Sequence, residues 1–440
     1  MISKPSLSTV FVFCAATVAC SAQAKSLEEA VAQALEIHPE LRALFYQYKS
    51  LEKDVEIAKS GWYPKADAYL ELGIGKRDNA QSRLGREDEE IKPVEYGVTI
   101  EQLLFDGFFT EENISRTKAE ARAEFFTLLS DAENRALEVT RAYTGYIAAQ
   151  QLLELAERNL ASHKDIYAQI EERTNSGLGS QSDLSQVGGR LARANANLLA
   201  AKNQLQDARA SYFRLVGEAP QDLVMPKPDL DGLPQDKESF LEIAKVEHPT
   251  IIAAMSDVKA AHHQIDGNRA NYYPRVTLNL EHSSTEYNND GDNYVDESRI
   301  SLNVTYNLFN GFADQELEKK SVYQKEQALN LRTSAEFQVI EGAEFAWSSY
   351  QYVQEQLEYL RQHVEFSYTT LQAHKQQFTL GRRTLLDLLD TENELFEARK
   401  SYVNAEQTAL VAHYRIFNAM GTLLDNLKID ARDYQVLGEQ

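Results

Sequence analysis

The chain has only two cysteines in 440 residues, Cys14 and Cys20, and both lie near the N-terminus. No disulfide and no cysteine metal site is available to anything downstream of them. Proline is scarce and unevenly placed: ten in all, none between Pro93 and Pro220, and none after Pro274. Inside a helix a proline costs about 3 kcal/mol or more, so these two gaps are where long helices have room. Beyond residue 24 charged residues interrupt every apolar stretch, and mean hydropathy is −0.46. Nothing there resembles a transmembrane helix. Any part that enters a bilayer must do so as strands closed into a barrel, because lipid offers no water to an open sheet edge. Basic residues are outweighed, 45 Lys and Arg against 67 Asp and Glu, for a net charge of −22. That balance argues against nucleic acid and against adhesion to anionic lipid, and otherwise confers solubility.

Motifs for chemistry are missing as well. The nine histidines are scattered, His262-His263 points to two helix faces, and no HExxH or nucleophile motif is present. Asn288-Asn289-Asp290-Gly291-Asp292 lacks the twelve-residue spacing of a calcium loop and reads as a polar hairpin tip. No catalytic residue, cofactor or metal is expected.

What is there begins with an export signal over residues 1–24. Lys4 supplies positive charge, 7–19 is an apolar run, and Ala22-Gln23-Ala24 offers a small-x-small cleavage site. Cleavage after Ala24 leaves a chain that starts at Lys25. Val18-Ala19-Cys20 permits acylation at Cys20 instead, although Thr17 stands where such signals usually carry Leu.

The rest is written twice. His38-Pro39 and Tyr63-Pro64 recur as His248-Pro249 and Tyr273-Pro274, offset by 210. Past the first strand pair the offset falls to 204: Phe105-Asp106-Gly107 matches Phe309-Asn310-Gly311, Ala142 and Tyr146 match Ala346 and Tyr350, and Gly177 and Asp183 match Gly381 and Asp387. One shift between matching anchors makes one hairpin loop six residues longer in the first copy. A period near 200 is a duplicated structural unit, not a short solenoid repeat. The copies run over 25–216 and 236–420, with a linker at 217–235 and a tail at 421–440.

Each copy holds a long helix in its proline gap, about 108–174 and about 312–378, ended by the glycine turns Gly177-Leu178-Gly179 and Gly381. About 65 residues of helix span roughly 100 Å, so the molecule is elongated. Second helices follow to about 215 and 420, completing hairpins at about 108–215 and 312–420. Leu191, Leu198, Leu205 and Tyr212 fall seven apart, as do Ala194, Ala201 and Ala208, and the second copy keeps Ala398, Ala405 and Ala412. This heptad seam with alanine at one core position predicts closely packed coiled-coil hairpins.

Strands are predicted at about 62–75 and 95–105, then 273–283 and 298–309, separated by polar loops. Ala66, Ala68, Leu70 and Leu72, then Tyr96, Val98 and Ile100, alternate with polar or small partners. So do Val276, Leu278 and Leu280, then Ile300, Leu302, Val304, Tyr306 and Leu308. A transmembrane barrel strand reads this way, and so does a half-buried soluble sheet. Aromatic residues at the strand ends (Trp62-Tyr63, Phe105, Phe108-Phe109, Tyr272-Tyr273, Phe309, Phe312) resemble an interfacial girdle. Four strands cannot close a barrel alone, since the smallest single-chain barrels have eight; closure needs several chains in a symmetric ring.

Taken in order and duplicated, these segments resemble the TolC family of outer-membrane channel proteins, over nearly the whole mature chain. The resemblance rests on the early Ser26-Leu27-Glu28-Glu29-Ala30, His38-Pro39 and Tyr63-Pro64, then on Gln102-Leu103-Leu104-Phe105-Asp106-Gly107, Gly177 to Asp183, and Gly381 to Asp390. It implies a mainly α fold with a β-barrel part: a homotrimer in which a twelve-stranded outer-membrane barrel continues as a periplasmic helical tunnel. Short helices near 26–36 and 237–246 would form a belt around it. The implied role is a non-enzymatic exit duct in a Gram-negative tripartite machine. Its partners would be a periplasmic adaptor docked on the helix-tip turns Gly177, Leu178, Gly179 and Gly381, and an inner-membrane ABC transporter or other efflux pump.

The family's gate lies at those tips. Carried over, Arg383 would reach Ser182 and Asp183 on a neighbouring hairpin, and Asp387 with Asp390 would ring the constriction and favour cations. The chain departs from the pattern at Phe378, where the gate typically has a tyrosine; no hydroxyl is available there. The stretch from Gly177 through Leu191 resembles type I secretion members that export adhesins, while drug-efflux members share the architecture. Two readings from other classes are a periplasmic coiled-coil scaffold that never enters the membrane and a secreted hydrolase.

Overall fold

The computed structural model describes residues 25–77, 89–229, 232–287 and 294–429. The expected signal cleavage at Ala24, the alternative acylation at Cys20 and the 288–292 loop lie outside the described residues, as does the tail beyond 429.

The first copy runs α1 (Leu27–Ile37), α2 (Pro39–Lys59), β1 (Lys65–Leu72), a short ribbon of β2 (Gly75–Arg77) and β3 (Glu89–Ile91), β4 (Val94–Phe105), α3 (Phe109–Asn175) and α4 (Gln181–Val216). The second runs α5 (Lys237–Glu247), α6 (Pro249–Arg269), β5 (Arg275–Glu286), β6 (Tyr294–Thr305), α7 (Ala313–Thr379) and α8 (Leu385–Met420), and α9 (Leu423–Asn426) closes the described chain.

Local signals set these boundaries. Ser26 and Glu29 form a reciprocal capping box on α1, and the Asp236 carboxylate accepts the Ser239 N–H at the start of α5. Pro39 and Pro249 occupy the first turn of α2 and α6, where a missing N–H costs nothing. Both long helices, α3 and α7, have 67 residues, or about 100 Å of length. Gly177 and Gly381 follow their ends with φ of 76° and 69°.

The main sheet is antiparallel, in the order β1-β4-β5-β6. Ala66 faces Ile100 in the first hairpin, and the repeat-equivalent Val276 faces Val304 in the second. The duplication therefore keeps strand register, and the six extra residues fall at the hairpin end. The first strand is shorter than the expected 62–75, because Ser60–Trp62 close a 3-10 turn and β1 begins only at Lys65 and ends at Leu72. The strands of the second copy instead reach further into polar sequence than the hydrophobic pattern marks: β5 continues to Glu286, and β6 starts at Tyr294 and stops at Thr305, short of Tyr306 and Leu308. Backbone pairing persists through Ser283, Ser284 and Thr285, where side chains no longer report which face is apolar.

The core lies where the short helices pack around the hairpins midway along their length. Leu27, Val31, Tyr143, Tyr212, Phe240, Ile251, Tyr414 and Phe417 are all buried there. Tyr143 Oη lies 2.7 Å from the Lys25 carbonyl oxygen and accepts the Val224 N–H at 3.1 Å, tying the segment before α1 and the inter-repeat linker to α3. The expected alanine seam is buried at Ala194, Ala398, Ala405 and Ala412, while Ala201 and Ala208 are only half-buried.

Candidate functional site

Strand register sorts the sheet into two unlike faces. Ala66, Ile100, Leu280 and Ile300 lie in one row across the four strands, and Leu70, Val98, Leu278, Leu302 and Val304 share that face by the two-residue period. Much of it is bare: Ile300 is 74% exposed and Leu72 is 72% exposed. The opposite face carries Lys65, Asp67 and Glu71 of β1, Glu95 and Glu101 of β4, Arg275 and Glu281 of β5, and Arg299 of β6. Arg275 donates to Glu101 at 3.2 Å. Tyr69 donates from Oη to Glu95 at 2.9 Å and lays its ring over Gly97, where any Cβ would stand 2.9 Å from that ring. An apolar face on one side and a charged, hydrogen-bonding face on the other is the cross-section of a channel wall. Among the described residues, the outer edges of β1 and β6 have no strand neighbour.

Where strands pass into helices, aromatic rings pack in two clusters, Phe105 with Phe108 and Tyr273, and Phe309 with Phe312. Phe108 and Phe312 both adopt left-handed backbone, with φ of 71° and 66°, a costly conformation for a bulky side chain. Edge-on ring contacts offset it: Phe105 to Phe108 at 5.4 Å, Phe108 to Tyr273 at 6.2 Å and Phe309 to Phe312 at 5.3 Å between centroids. Among the described residues no helix is long and apolar enough to cross a membrane, and no group of three or more potential ligands could hold a metal.

At the other end of the molecule lie the two hairpin turns. In the first, Gly177 is left-handed, Leu178 is 82% exposed, and a Cβ on Gly179 would lie 2.7 Å from Thr174 Oγ1. Ser180 caps α4 by accepting the Ser182 N–H at 3.1 Å. Among the described residues, neither the Ser182 hydroxyl nor the Asp183 carboxylate has a partner within the chain.

The second turn is basic. Arg383 donates from Nε to Gln377 at 3.0 Å and stands 3.7 Å from Asp387, so within one chain it is held by its own hairpin rather than by Ser182 or Asp183. Asp387 completes a capping box with Thr384 at the start of α8, and the Thr384 hydroxyl and N–H hold its carboxyl below the usual range. Asp390 is engaged by Arg190 of α4 at 2.6 Å. Phe378 is partly buried against an apolar cluster of Ile166, Ile170, Val187, Leu371, Leu385 and Leu389, with the Arg173 guanidinium 5.7 Å from its ring centroid. The sequence named Asp390 and Phe378 but missed Arg190 and Arg173. Their partners lie about 200 positions away, and no local spacing signals such a pair.

A wall-forming sheet with both edges open, joined to helix hairpins of this length, defines one segment of a membrane channel. The chain matches the family described as Outer membrane efflux protein over residues 30–218 and 240–422, one stretch per repeat, and it belongs to that family. It is 25% identical over 387 residues to the outer membrane efflux protein BepC of Brucella suis biovar 1, covering 87% of this chain and 83% of that protein. It is 22% identical over 410 residues to the alkaline protease secretion protein AprF of Pseudomonas aeruginosa, covering 89% and 83%. The outer membrane channel CmeC of Campylobacter jejuni shares the fold, with a TM-score of 0.78 at 14% identity over 92% of this chain and 90% of that one. The protein is thus a transport protein rather than an enzyme: an outer-membrane exit duct of a tripartite efflux or secretion system, with a periplasmic helical extension. Channels of this family act as homotrimers in such systems.

Proposed function

We propose that this duct serves type I secretion of a large protein such as an adhesin, working as a homotrimer with a periplasmic adaptor and an inner-membrane ABC transporter. The observation that carries the choice of cargo is the first hairpin end. Its run from Gly177 through Leu191 resembles secretion members, and the first four residues of that run form a tight uncharged turn with Leu178 projecting. Similarity to a protein named for protease secretion agrees with it. Three copies, each adding four strands, would close the open edges of β1 and β6 into one barrel. The bare Ser182 and Asp183 side chains support a link from Arg383 of an adjacent protomer, which would exchange its Gln377 and Asp387 bonds for it. The turns at Gly177, Leu178, Gly179 and Gly381 are the surface offered to the adaptor.

Small-molecule efflux is the second reading, favoured by the efflux name of the Brucella relative. Deleting the gene and comparing the culture-medium proteome with drug susceptibility separates the two. Secretion predicts loss of one large extracellular protein with unchanged susceptibility. The reverse result, sensitised cells with an intact secreted proteome, would replace secretion with efflux.

A further inference from the structure

The chain contains one joint between its two repeats and the separated halves of a second. In the first, β4 and α3 of one repeat meet β5 and α6 of the other. Ile100 stands opposite Leu280, and Glu101 opposite Asn279. Glu112 of α3 lies 2.7 Å from His263 of α6, and a Cβ on Gly267 of α6 would lie 3.9 Å from Phe109 Cδ2. At the corner a Cβ on Gly107 would stand 2.8 Å from Tyr273 Cβ, and the Tyr273 ring lies 6.2 Å from that of Phe108. The repeat offsets carry β4 and α3 forward by 204 onto β6 and α7, and β5 and α6 back by 210 onto β1 and α2. β1 and β6 are the two opposite edges of the sheet, so the second joint cannot close within one chain. Its surfaces are bare: Ile57 is 66% exposed and Tyr63 64%. Gly311 has the left-handed backbone of its equivalent Gly107, yet a Cβ there would meet nothing within 4 Å.

The residues that replace the first joint in the second are matched to one another. Glu112 with His263 becomes Glu316 with Lys53, again an acid and a base. Phe109 over Gly267 becomes Ala313 with Ile57, so the large residue has changed sides. Ile100 opposite Leu280 becomes Val304 opposite Leu70, apolar on apolar, and Glu101 opposite Asn279 becomes Thr305 opposite Tyr69 on the other face. A slip of one residue would set an apolar row beside a polar one. Two edges that only met solvent would need to match in neither sign, volume nor face.

On the reading that the protein is a homotrimer, we propose that β6 and α7 of one protomer receive β1 and α2 of the next in the register of the internal joint. Thr305 then faces Tyr69 of the adjacent protomer. Glu316, which Lys319 of its own helix holds at 2.7 Å, gains Lys53 of the adjacent protomer as a second cation. Tyr63 of the adjacent protomer joins Phe309 and Phe312 as Tyr273 joins Phe105 and Phe108. The exchanged volumes also fix which short helix goes where. Phe109 against Ile57 overfills the space, and Ala313 against Gly267 leaves it empty; both are destabilising. The ring therefore closes only with first and second repeats alternating.

The test is disulfide cross-linking of the full-length protein in oxidised outer membranes, read on non-reducing denaturing gels. No cysteine follows Cys20, so introduced pairs report on their own positions. Facing residues of an antiparallel pair have Cα atoms about 4.5–5.5 Å apart, within disulfide reach, whereas diagonal neighbours at about 7–8 Å are beyond it. Tyr69→Cys with Thr305→Cys is expected to give covalent trimers. Tyr69→Cys with Asn303→Cys, two residues off on the same face, gives at least about tenfold less. For the helices, Ala313→Phe lowers the trimer share on native gels about tenfold, an overpacking cost of about 1.4 kcal/mol or more. Adding Ile57→Gly rebuilds the pair of the internal joint and restores trimers, which separates the contact from damage to α7. Cross-linking through Asn303 instead, or through neither position in a protein that runs as a trimer, would overturn the register and leave the duct intact. A trimer share unmoved by Ala313→Phe, or not restored by Ile57→Gly, would overturn the helix pairing. A wild type that runs as a monomer removes the homotrimer reading and the joint with it.

Discussion

Glu133 is a charged residue type almost wholly buried in α3, and its two oxygens accept the N–H groups of Leu423 and Leu424 at 2.9 and 3.1 Å. It fastens the start of α9 to the long helix. Burial pushes its carboxyl up to about 8, against those two donors, which pull it down. His248 has the opposite sign: its Nδ1 accepts the Thr250 N–H at the start of α6, and burial pulls its imidazole down to about 4. Folded Glu133 binds its proton more tightly than the unfolded chain does at 4.5, so its contribution is complete below 4.5 and is lost as pH rises through about 8. Folded His248 binds its proton less tightly than the ordinary 6.5, so its contribution is present above 6.5 and is lost as pH falls through about 4. Thermal melts across pH should therefore show a flatter profile between 5 and 8 for Glu133→Gln. His248→Asn keeps a good cap and should flatten the acid side; slopes unchanged from wild type in both variants would refute these assignments. The duplicated His-Pro pairs were legible in the sequence, but their difference was not. His38 makes no side-chain cap bond in the equivalent place, because the contacts around each histidine come from distant segments.

Among the elements, the long helices were the most legible. Proline gaps and glycine turns put their ends within a residue of the observed α3 and α7, since both signals act on the backbone itself. Strand ends were less so, because alternation is visible only while one face is apolar. The hairpin ends were legible in part: Thr384 and Asp387 carry a capping signature, whereas the contacts of Arg190 and Arg173 come from packing between repeats. The closing glycines of the second hairpin helices make a test of such packing. Gly217 and Gly421 are equivalent, with φ of 80° and 76°. A Cβ on Gly217 would lie 2.3 Å from Ile37 Cδ1, the far end of a flexible side chain, whereas one on Gly421 would lie 2.2 Å from Pro249 Cδ in a rigid ring. Each alanine must also adopt left-handed backbone, at about 1–2 kcal/mol. Gly217→Ala should thus cost about 1–2 kcal/mol, and Gly421→Ala about 2–4 kcal/mol once overpacking is added. Denaturant melts that rank the two equally would show that the proline ring moves aside.

At the scale of the whole molecule, the duplication and the two-residue alternation already called for strands closed by several chains. What they left open was whether the apolar rows face lipid or a soluble core. The register puts Ile300 in the middle of the apolar face and Ser301 on the charged face, one residue apart on the edge strand β6. An arginine facing lipid at the midplane costs about 2–4 kcal/mol, and a symmetric assembly would bear it once per protomer. Facing an aqueous lumen beside Asn279 and Glu281, the same side chain stays hydrated. Ile300→Arg is therefore expected to lower the amount of protein recovered in outer-membrane fractions by tenfold or more, from about 1.4 kcal/mol upward. Ser301→Arg should be recovered at the wild-type level, with the helical signal by circular dichroism the same in both purified proteins. Equal recovery of the two variants would remove lipid as the neighbour of this face. A loss confined to Ser301→Arg would mean that the charged face is the one penalised for a further arginine, and would overturn the assignment of the apolar face to lipid. Because the two substitutions add the same side chain to adjacent residues of one strand, the comparison isolates the direction of the face from charge, size and strand propensity.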